Sequence, residues 1–336
     1  LKLQIENRNR GKQIRLALTI GDPCGIGPEI VVRYLTKAPV SFLNSLVVLG
    51  ATNLLTDMFA KMSLPEPNWL NRRNEISGPL VDSHNNEISG PYFPGNVCKE
   101  GGIAALSAIE AAHKLCSIGV CHGMITGPIG KMAINLAGSP FSGHTDMLRS
   151  LNGVPNTRMA MVFGNLKVVM TTLHTAYRDV PDLLTFEAVY ETIRMAHEAF
   201  SSIRRPFPKI AVGGLNPHAG EDGLFGDEEK KSILPAIREF QKINPTVEGP
   251  FPSDSLFKPE MRKKFDLFIA QTHDQGLSAI KALGSTRCVN VTLGLPYIRT
   301  SVGHGTAYDI AGKGIADAQG LANAVSLAFK LVRKNR

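Results

Sequence analysis

The chain has 336 residues, 43% of them hydrophobic and 20% charged, with 32 glycines and a formal net charge of +8. That length supports two domains rather than one, and the composition is that of an ordinary globular protein. Lysine and arginine are spread along the chain with no arginine-rich arm, which argues against nucleic acid as a partner. No run approaches 18 apolar residues, which argues against a membrane span.

The positive field fits an anionic small substrate, or solubility alone. Cys24, Cys98, Cys116, Cys121 and Cys288 have no motif spacing and are odd in number, and so read as buried free thiols of a reducing compartment. The opening LKLQIENRNRGKQ has no apolar segment, and a cytoplasmic location is expected.

In chain order, residues 14–20 read as a strand that runs into a glycine-rich turn at 21–30 and a helix opening near Pro28, where proline is tolerated. The turn is not G-x-G-x-x-G, and it reads equally as tight geometry or as a substrate contact. A strand at 45–49 and a helix at 53–62 follow, then loop-like sequence at 68–96. Residues 99–115 repeat alanine and leucine at helical spacing. A strand at 118–125 leads to TGPIGK, a short helix at 132–137, and a helix at 145–150. The runs 157–163 and 166–173, parted by Gly164-Asn165, carry a hairpin signal. A long helix from 181 or 183 to 200, a strand at 209–213, a helix at 227–240, loop at 244–254 and a short helix at 257–261 come next. Strands at 265–270 and 288–293 and a last helix at 318–332 complete an α/β alternation.

Three histidines stand just past apolar strands: His174 after 168–173, His218 after 210–215, and His273 after 265–270. Ligands bind at that edge of open α/β sheets. Imidazoles suit zinc, cobalt, iron and nickel, and three protein ligands leave room for substrate or water. The long spacing matches no short motif, so separate polar roles stay open. Asn216 and Asp274 are candidate orienting residues, with a helix N-cap the alternative for Asp274. Lys281, Arg299, His144, Thr145 and Ser301 form a second group suited to an anion. The stretch 304–314 reads as a connection or as a cofactor-facing loop.

The motifs GDPCGIGPEI at 21–30, ITGPIGK at 125–131, FSGHTD at 141–146, TTLHTAYRD at 171–179, GGLNPHAGE at 213–221, THDQGL at 272–277 and NVTLGLPYIRTSVGHGTAYDIAGKG at 290–314 resemble the 4-hydroxythreonine-4-phosphate dehydrogenase (PdxA) family of vitamin B6 synthesis. They occur in the family's order and span nearly the whole chain. The resemblance implies the isocitrate/isopropylmalate dehydrogenase-like fold: two α/β domains with a central cleft. The first would be discontinuous (12–135 and 300–336), and the second (136–299) would carry dimerisation and the metal and substrate site.

It also implies a homodimer with shared active sites, NAD or alternatively NADP, and one divalent cation per site (Zn, Mg, Mn or Co). The implied metal ligands are His174, His218 and the partner subunit's His273. Substrate binding falls to His144, Thr145, Lys281, Asn290 and Arg299, and catalysis to Lys281, His144 and Asp254. Gly294, Ser301, His304, Gly305, Thr306, Asp309 and Lys313 would bind the cofactor.

The implied reaction is oxidation of the small phosphorylated substrate 4-phosphooxy-L-threonine at C3, then loss of CO2 to give 3-amino-2-oxopropyl phosphate. Cys24, Gly130 and Asp146 depart from the family's usual alanine, asparagine and glutamate. The first reads as steric tuning. The other two keep open a sister activity on D-threonate or D-erythronate 4-phosphate.

Overall fold

The computed structural model describes residues 13–65, 80–82, 93–202 and 205–334. They divide into two compact units. Of the described residues, the first unit takes those up to Phe141 with Thr306–Ala318 and Ala328–Arg333, and the second those within Ser142–Gly305 and Gln319–Leu327 with Lys334.

In the first unit, β1 (Leu16–Thr19), β2 (Leu46–Leu49), β3 (Leu80–Asp82) and β4 (Gly123–Thr126) lie in the order β3-β2-β1-β4, all parallel. LALT and LVVL are apolar or small throughout and fully buried, as parallel strands covered on both faces require. β3 falls inside the expected 68–96 loop, most of which lies outside the described residues.

The glycine-rich turn is bound to the segment 306–316 of the same unit. Asp22 accepts the Cys24 amide at 2.8 Å and the Tyr308 hydroxyl at 2.6 Å. Glu29, fully buried, accepts the Ala316 amide at 2.7 Å, and Ile26 N–H donates to the Thr306 carbonyl at 2.9 Å. These bonds satisfy backbone donors that burial would otherwise orphan. The turn thus has the tight, internally bonded geometry that is one of its two readings.

Gly130 has an ordinary φ of −83°, so its backbone does not require glycine. Space does: a Cβ there would lie 1.9 Å from the Tyr308 hydroxyl and 3.0 Å from an Asp22 carboxylate oxygen. Packing against Tyr308 thus accounts for a glycine at this position. Gly130→Ala is expected to cost about 1–3 kcal/mol of stability as an overpacked site, and less in a Tyr308→Phe background. Denaturant titrations of the four proteins check this, and equal losses in both backgrounds would exonerate Tyr308.

The second unit holds β5 (Arg158–Phe163), β6 (Leu166–Met170), β7 (Ile210–Gly213), β8 (Val247–Phe251), β9 (Leu267–Ala270), β10 (Val289–Leu293) and β11 (Ile298–Val302), in the order β11-β10-β5-β6-β9-β7-β8. β11, β10, β5 and β6 are mutually antiparallel, and β6, β9, β7 and β8 parallel. The β5–β6 hairpin pairs Phe163 with Leu166 across Gly164-Asn165, with Gly164 at φ +57°. That is where tight hairpin turns need glycine. The core of this unit gathers Val168, Met170, Leu256, Phe268 and Ile280.

Four local expectations differ from the structure. The stretch 244–254 is not all loop: VEGPF pairs with β7 as β8, the last strand in the order, and an edge is where a strand tolerates proline. The long helix is broken at Leu184, and Thr185 caps a new one, Phe186–Phe200, by accepting the Ala188 amide. The helix expected at 227–240 opens as a π-helical turn over Glu229–Ile233 before Leu234–Gln241 becomes regular. Asp274 is not an N-cap. Thr272 is, in a capping box with Gln275 that starts the His273–Gly284 helix. Among the described residues no helix is long and apolar enough to cross a membrane.

Candidate active site

In the second unit the β6–β9 pairing continues past both strands. Thr171 N–H donates to the Ala270 carbonyl at 2.9 Å and Thr172 N–H to the Gln271 carbonyl at 3.0 Å. The chain is therefore still in register when it reaches Leu173 and Thr272, and the next residues, His174 and His273, come together. Their ring centroids are 5.5 Å apart, beside a recess of about 290 Å³ lined by Thr172, Tyr177, Thr272 and Asp274 as well.

His273 Nδ1 lies 2.7 Å from Asp274 Oδ1, and the other oxygen of Asp274 accepts the Tyr177 hydroxyl at 2.6 Å. These hydrogen bonds, Tyr177 first, hold the Asp274 carboxyl below the usual carboxylate range. An ionised Asp274 accepts the proton on Nδ1 and leaves the Nε2 lone pair available, the tautomer a metal-binding histidine needs. The donor chemistry fits a divalent cation.

His218 lies apart. It begins a run of left-handed backbone, with φ of 54°, 54°, 81°, 39° and 55° from His218 to Asp222. Its side chain is 73% exposed, 3.6 Å from Glu221. Four of these five residues are not glycine, and each costs about 1–2 kcal/mol in that conformation.

What holds the loop is Glu229, buried. It accepts the Leu215 and Asn216 amides at 2.7 and 2.8 Å and the Asn216 side chain at 2.9 Å. Gln275 adds bonds to the Gly214 and Leu215 carbonyls, both at 3.2 Å, tying this loop to the first turn of the His273 helix. Among the described residues no three histidine, cysteine or acidic side chains are gathered closely enough for a metal.

A second cluster forms on the β10–β11 hairpin, where Asn290 pairs with Ser301 and Thr292 with Arg299. These side chains share one face, because facing residues of antiparallel strands point the same way. Arg299 is 2% exposed and donates to Thr292 Oγ1 at 2.9 Å. Burial pulls its guanidinium down to about 10, so it stays charged at neutral pH. Asn290 donates to the Met159 sulfur at 3.3 Å.

His144, in the first turn of the His144–Leu151 helix, has an enclosed Nε2. Burial, and then the Arg299 charge, hold its imidazole well below the ordinary range. His144 is therefore neutral when folded, while the unfolded chain takes up a proton below about pH 6.5. Its contribution to stability is whole above that pH and is lost as pH falls below it. The unfolding midpoint is expected to drop between pH 7.5 and 5, and to drop less in His144→Gln, as calorimetry at both pH values would read.

The remaining candidates are dispersed. Thr145 is half-buried beside His144, Lys281 is exposed on the His273–Gly284 helix, and Asp254 is exposed on the short helix Ser253–Leu256. Gly294, at φ +90°, turns the chain between β10 and β11. Ser301 is buried on β11, and His304 Nδ1 lies 2.9 Å from the Gly305 carbonyl. The expected cofactor residues divide between the units, since Thr306, Asp309 and Lys313 belong to the first. There Thr306 is buried, and Asp309 and Lys313 are exposed.

Residues 43–328 match the family model described as pyridoxal phosphate biosynthetic protein PdxA. The chain is 38% identical over 319 residues to 4-hydroxythreonine-4-phosphate dehydrogenase of Beijerinckia indica, covering 94% of each. The chain belongs to the PdxA family.

PdxA relatives do not all carry one name. A protein of Oceanobacillus iheyensis, 36% identical with 94% of this chain and 97% of that one covered, is provisionally named D-threonate 4-phosphate dehydrogenase. Among solved structures, 4-hydroxythreonine-4-phosphate dehydrogenase of Klebsiella pneumoniae superposes with a TM-score of 0.83 at 33% identity, covering 95% of this chain and all of that one. A β-decarboxylating dehydrogenase of Thermococcus kodakarensis, at 14% identity and a TM-score of 0.53 with 96% and 84% covered, shares the fold. The PdxA chain thus has the isocitrate/isopropylmalate dehydrogenase-like α/β architecture.

Two of its residues escape a reading of the sequence. Tyr177 stands in a solvent-facing 3-10 turn, and only its place in TAYRD, three residues after His174, marks it. Glu229 acts on a loop thirteen residues upstream, and no local pattern signals that.

Proposed function

We propose that this chain is an NAD-dependent, divalent-metal-assisted dehydrogenase. It would oxidise the C3 hydroxyl of 4-phosphooxy-L-threonine to 2-amino-3-oxo-4-phosphooxybutanoate, which loses CO2 to give 3-amino-2-oxopropyl phosphate. The observation that carries the proposal, beside family membership, is the His174–His273 pair with Asp274 fixing the second imidazole. His174 and His218 would hold the cation together with the partner subunit's His273, in a homodimer that shares the site between subunits. Bound there, a divalent cation would supply Lewis acidity at the C3 oxygen and a nicotinamide would supply the hydride acceptor.

The protein's own groups bind and orient. Arg299, with Thr292 steering its guanidinium, grips a substrate anion, and Asn290, His144 and Thr145 supply neutral polar contacts beside it. The neutral His144 can accept a proton at Nε2. Lys281 lies eight residues from His273 along one helix, a rise of about 12 Å. That separation suits a hold on the substrate's anionic end better than a proton transfer at C3. Asp254 and the residues 294–313 named above remain assignments to the catalytic set and the nicotinamide cofactor.

The second reading is oxidation of D-threonate or D-erythronate 4-phosphate by the same chemistry. The similarity to the O. iheyensis protein and the Asp146 departure favour it. NADH release should be measured with all three phosphates, with and without chelator. Turnover is expected on 4-phosphooxy-L-threonine at least about tenfold above the sugar acids, and loss of it with chelator. The reverse ranking would select the second reading, and chelator-insensitive turnover would remove the metal.

A further inference from the structure

We propose that Cys24 and Cys98 are a redox modification site, which a peroxide converts to an intrachain disulfide and a dithiol restores. The two sulfurs stand 3.5 Å apart although 74 residues separate them in sequence. Both belong to the first unit. Gly101 packs against the pair: a Cβ there would lie in ordinary contact, 3.4 Å, with each sulfur and 2.9 Å from an Asp22 carboxylate oxygen.

The two thiols are unequal, as a reacting pair requires. Cys98 is half-buried and caps the Lys99–Ser117 helix, its sulfur accepting the Gly101 amide at 3.3 Å. Its partial exposure lets an oxidant reach it. Cys24 is fully buried in the glycine-rich turn, and burial pushes its thiol up. It therefore keeps its proton until Cys98 has reacted. Cys116, Cys121 and Cys288 are all buried and offer an oxidant no exposed sulfur.

The chemistry closes without a further reagent. The Cys98 sulfur attacks one peroxide oxygen, the O–O bond breaks, and the departing hydroxide takes the Cys98 thiol proton, leaving a sulfenic acid and one water. The Cys24 sulfur then attacks the Cys98 sulfur. An S–S bond forms, the S–O bond breaks, and the departing hydroxide takes the Cys24 proton as a second water. The sulfurs give up two electrons and the peroxide gains them.

The full chain should be treated with one equivalent of hydrogen peroxide, denatured, and its free thiols alkylated and counted. The expected count falls from five to three, the five cysteines less the two joined. A non-reduced peptide map should show Cys24 linked to Cys98, and dithiothreitol should return the count to five. Cys98→Ser, whose hydroxyl is a better helix cap than a thiol, should keep its four thiols at the same dose. Cys24→Ala should leave a Cys98 sulfenic acid that dimedone traps. Cys98 passing to sulfinic acid with Cys24 still reduced would overturn the proposal. So would a link to Cys116, Cys121, Cys288 or a second chain. Thiol counts do not depend on turnover, so the result stands apart from the dehydrogenase assignment.

Discussion

Replacing His218 with asparagine is expected to strip the divalent cation from the protein and lower turnover about a thousandfold, while the fold survives. A lost metal ligand removes several kcal/mol of charge stabilisation at the reacting oxygen, and about 4 kcal/mol is a thousandfold in rate. Asparagine is the informative choice. His218 sits at φ 54°, a region asparagine enters more readily than alanine does. His218→Asn therefore removes the imidazole without adding backbone strain, and His218→Ala would confound the two. Metal content by atomic emission, NADH release and far-UV dichroism together decide it. Full metal with wild-type turnover would take His218 out of the site.

Arg299→Met is expected to lower kcat/KM for the phosphorylated substrate by about a hundred- to a thousandfold, the cost of truncating one side of a desolvated charge pair. Its effect on stability should run the other way. Arg299 is buried, and its lowered guanidinium pKa shows that burial opposes its charge. Methionine, of similar length, removes that opposed charge together with its bond to Thr292. The ligand-free melting temperature should hold or rise, and the rise in it that substrate produces should vanish. An unchanged substrate-induced shift would mean that the anion binds elsewhere.

The parts of the fold legible in sequence were those whose side chains report burial directly. IAVG and LFIA read as strands because both faces are covered, and Gly164-Asn165 read as a turn because it must be tight. VEGPF concealed a strand because edge strands are free to carry the residues that mark loops. The histidines were legible as strand-end residues, and the structure brings two of them together. Their supports were legible only in part. Asp274 reads as an orienting residue with a cap as the alternative, but its bond to Tyr177 joins residues 97 apart and has no local signal. The left-handed run at 218–222 was hidden because only one of its five residues is glycine.

That run has a bearing on how the protein tolerates change. Ala219, at φ 54°, is a position where glycine would relieve strain, and a selection for thermal resilience would favour it. The same relaxation would let the neighbouring imidazole wander from its bound pose. Hardier variants arising at this loop should pay in cation affinity, and those that bind most tightly should be the first to melt.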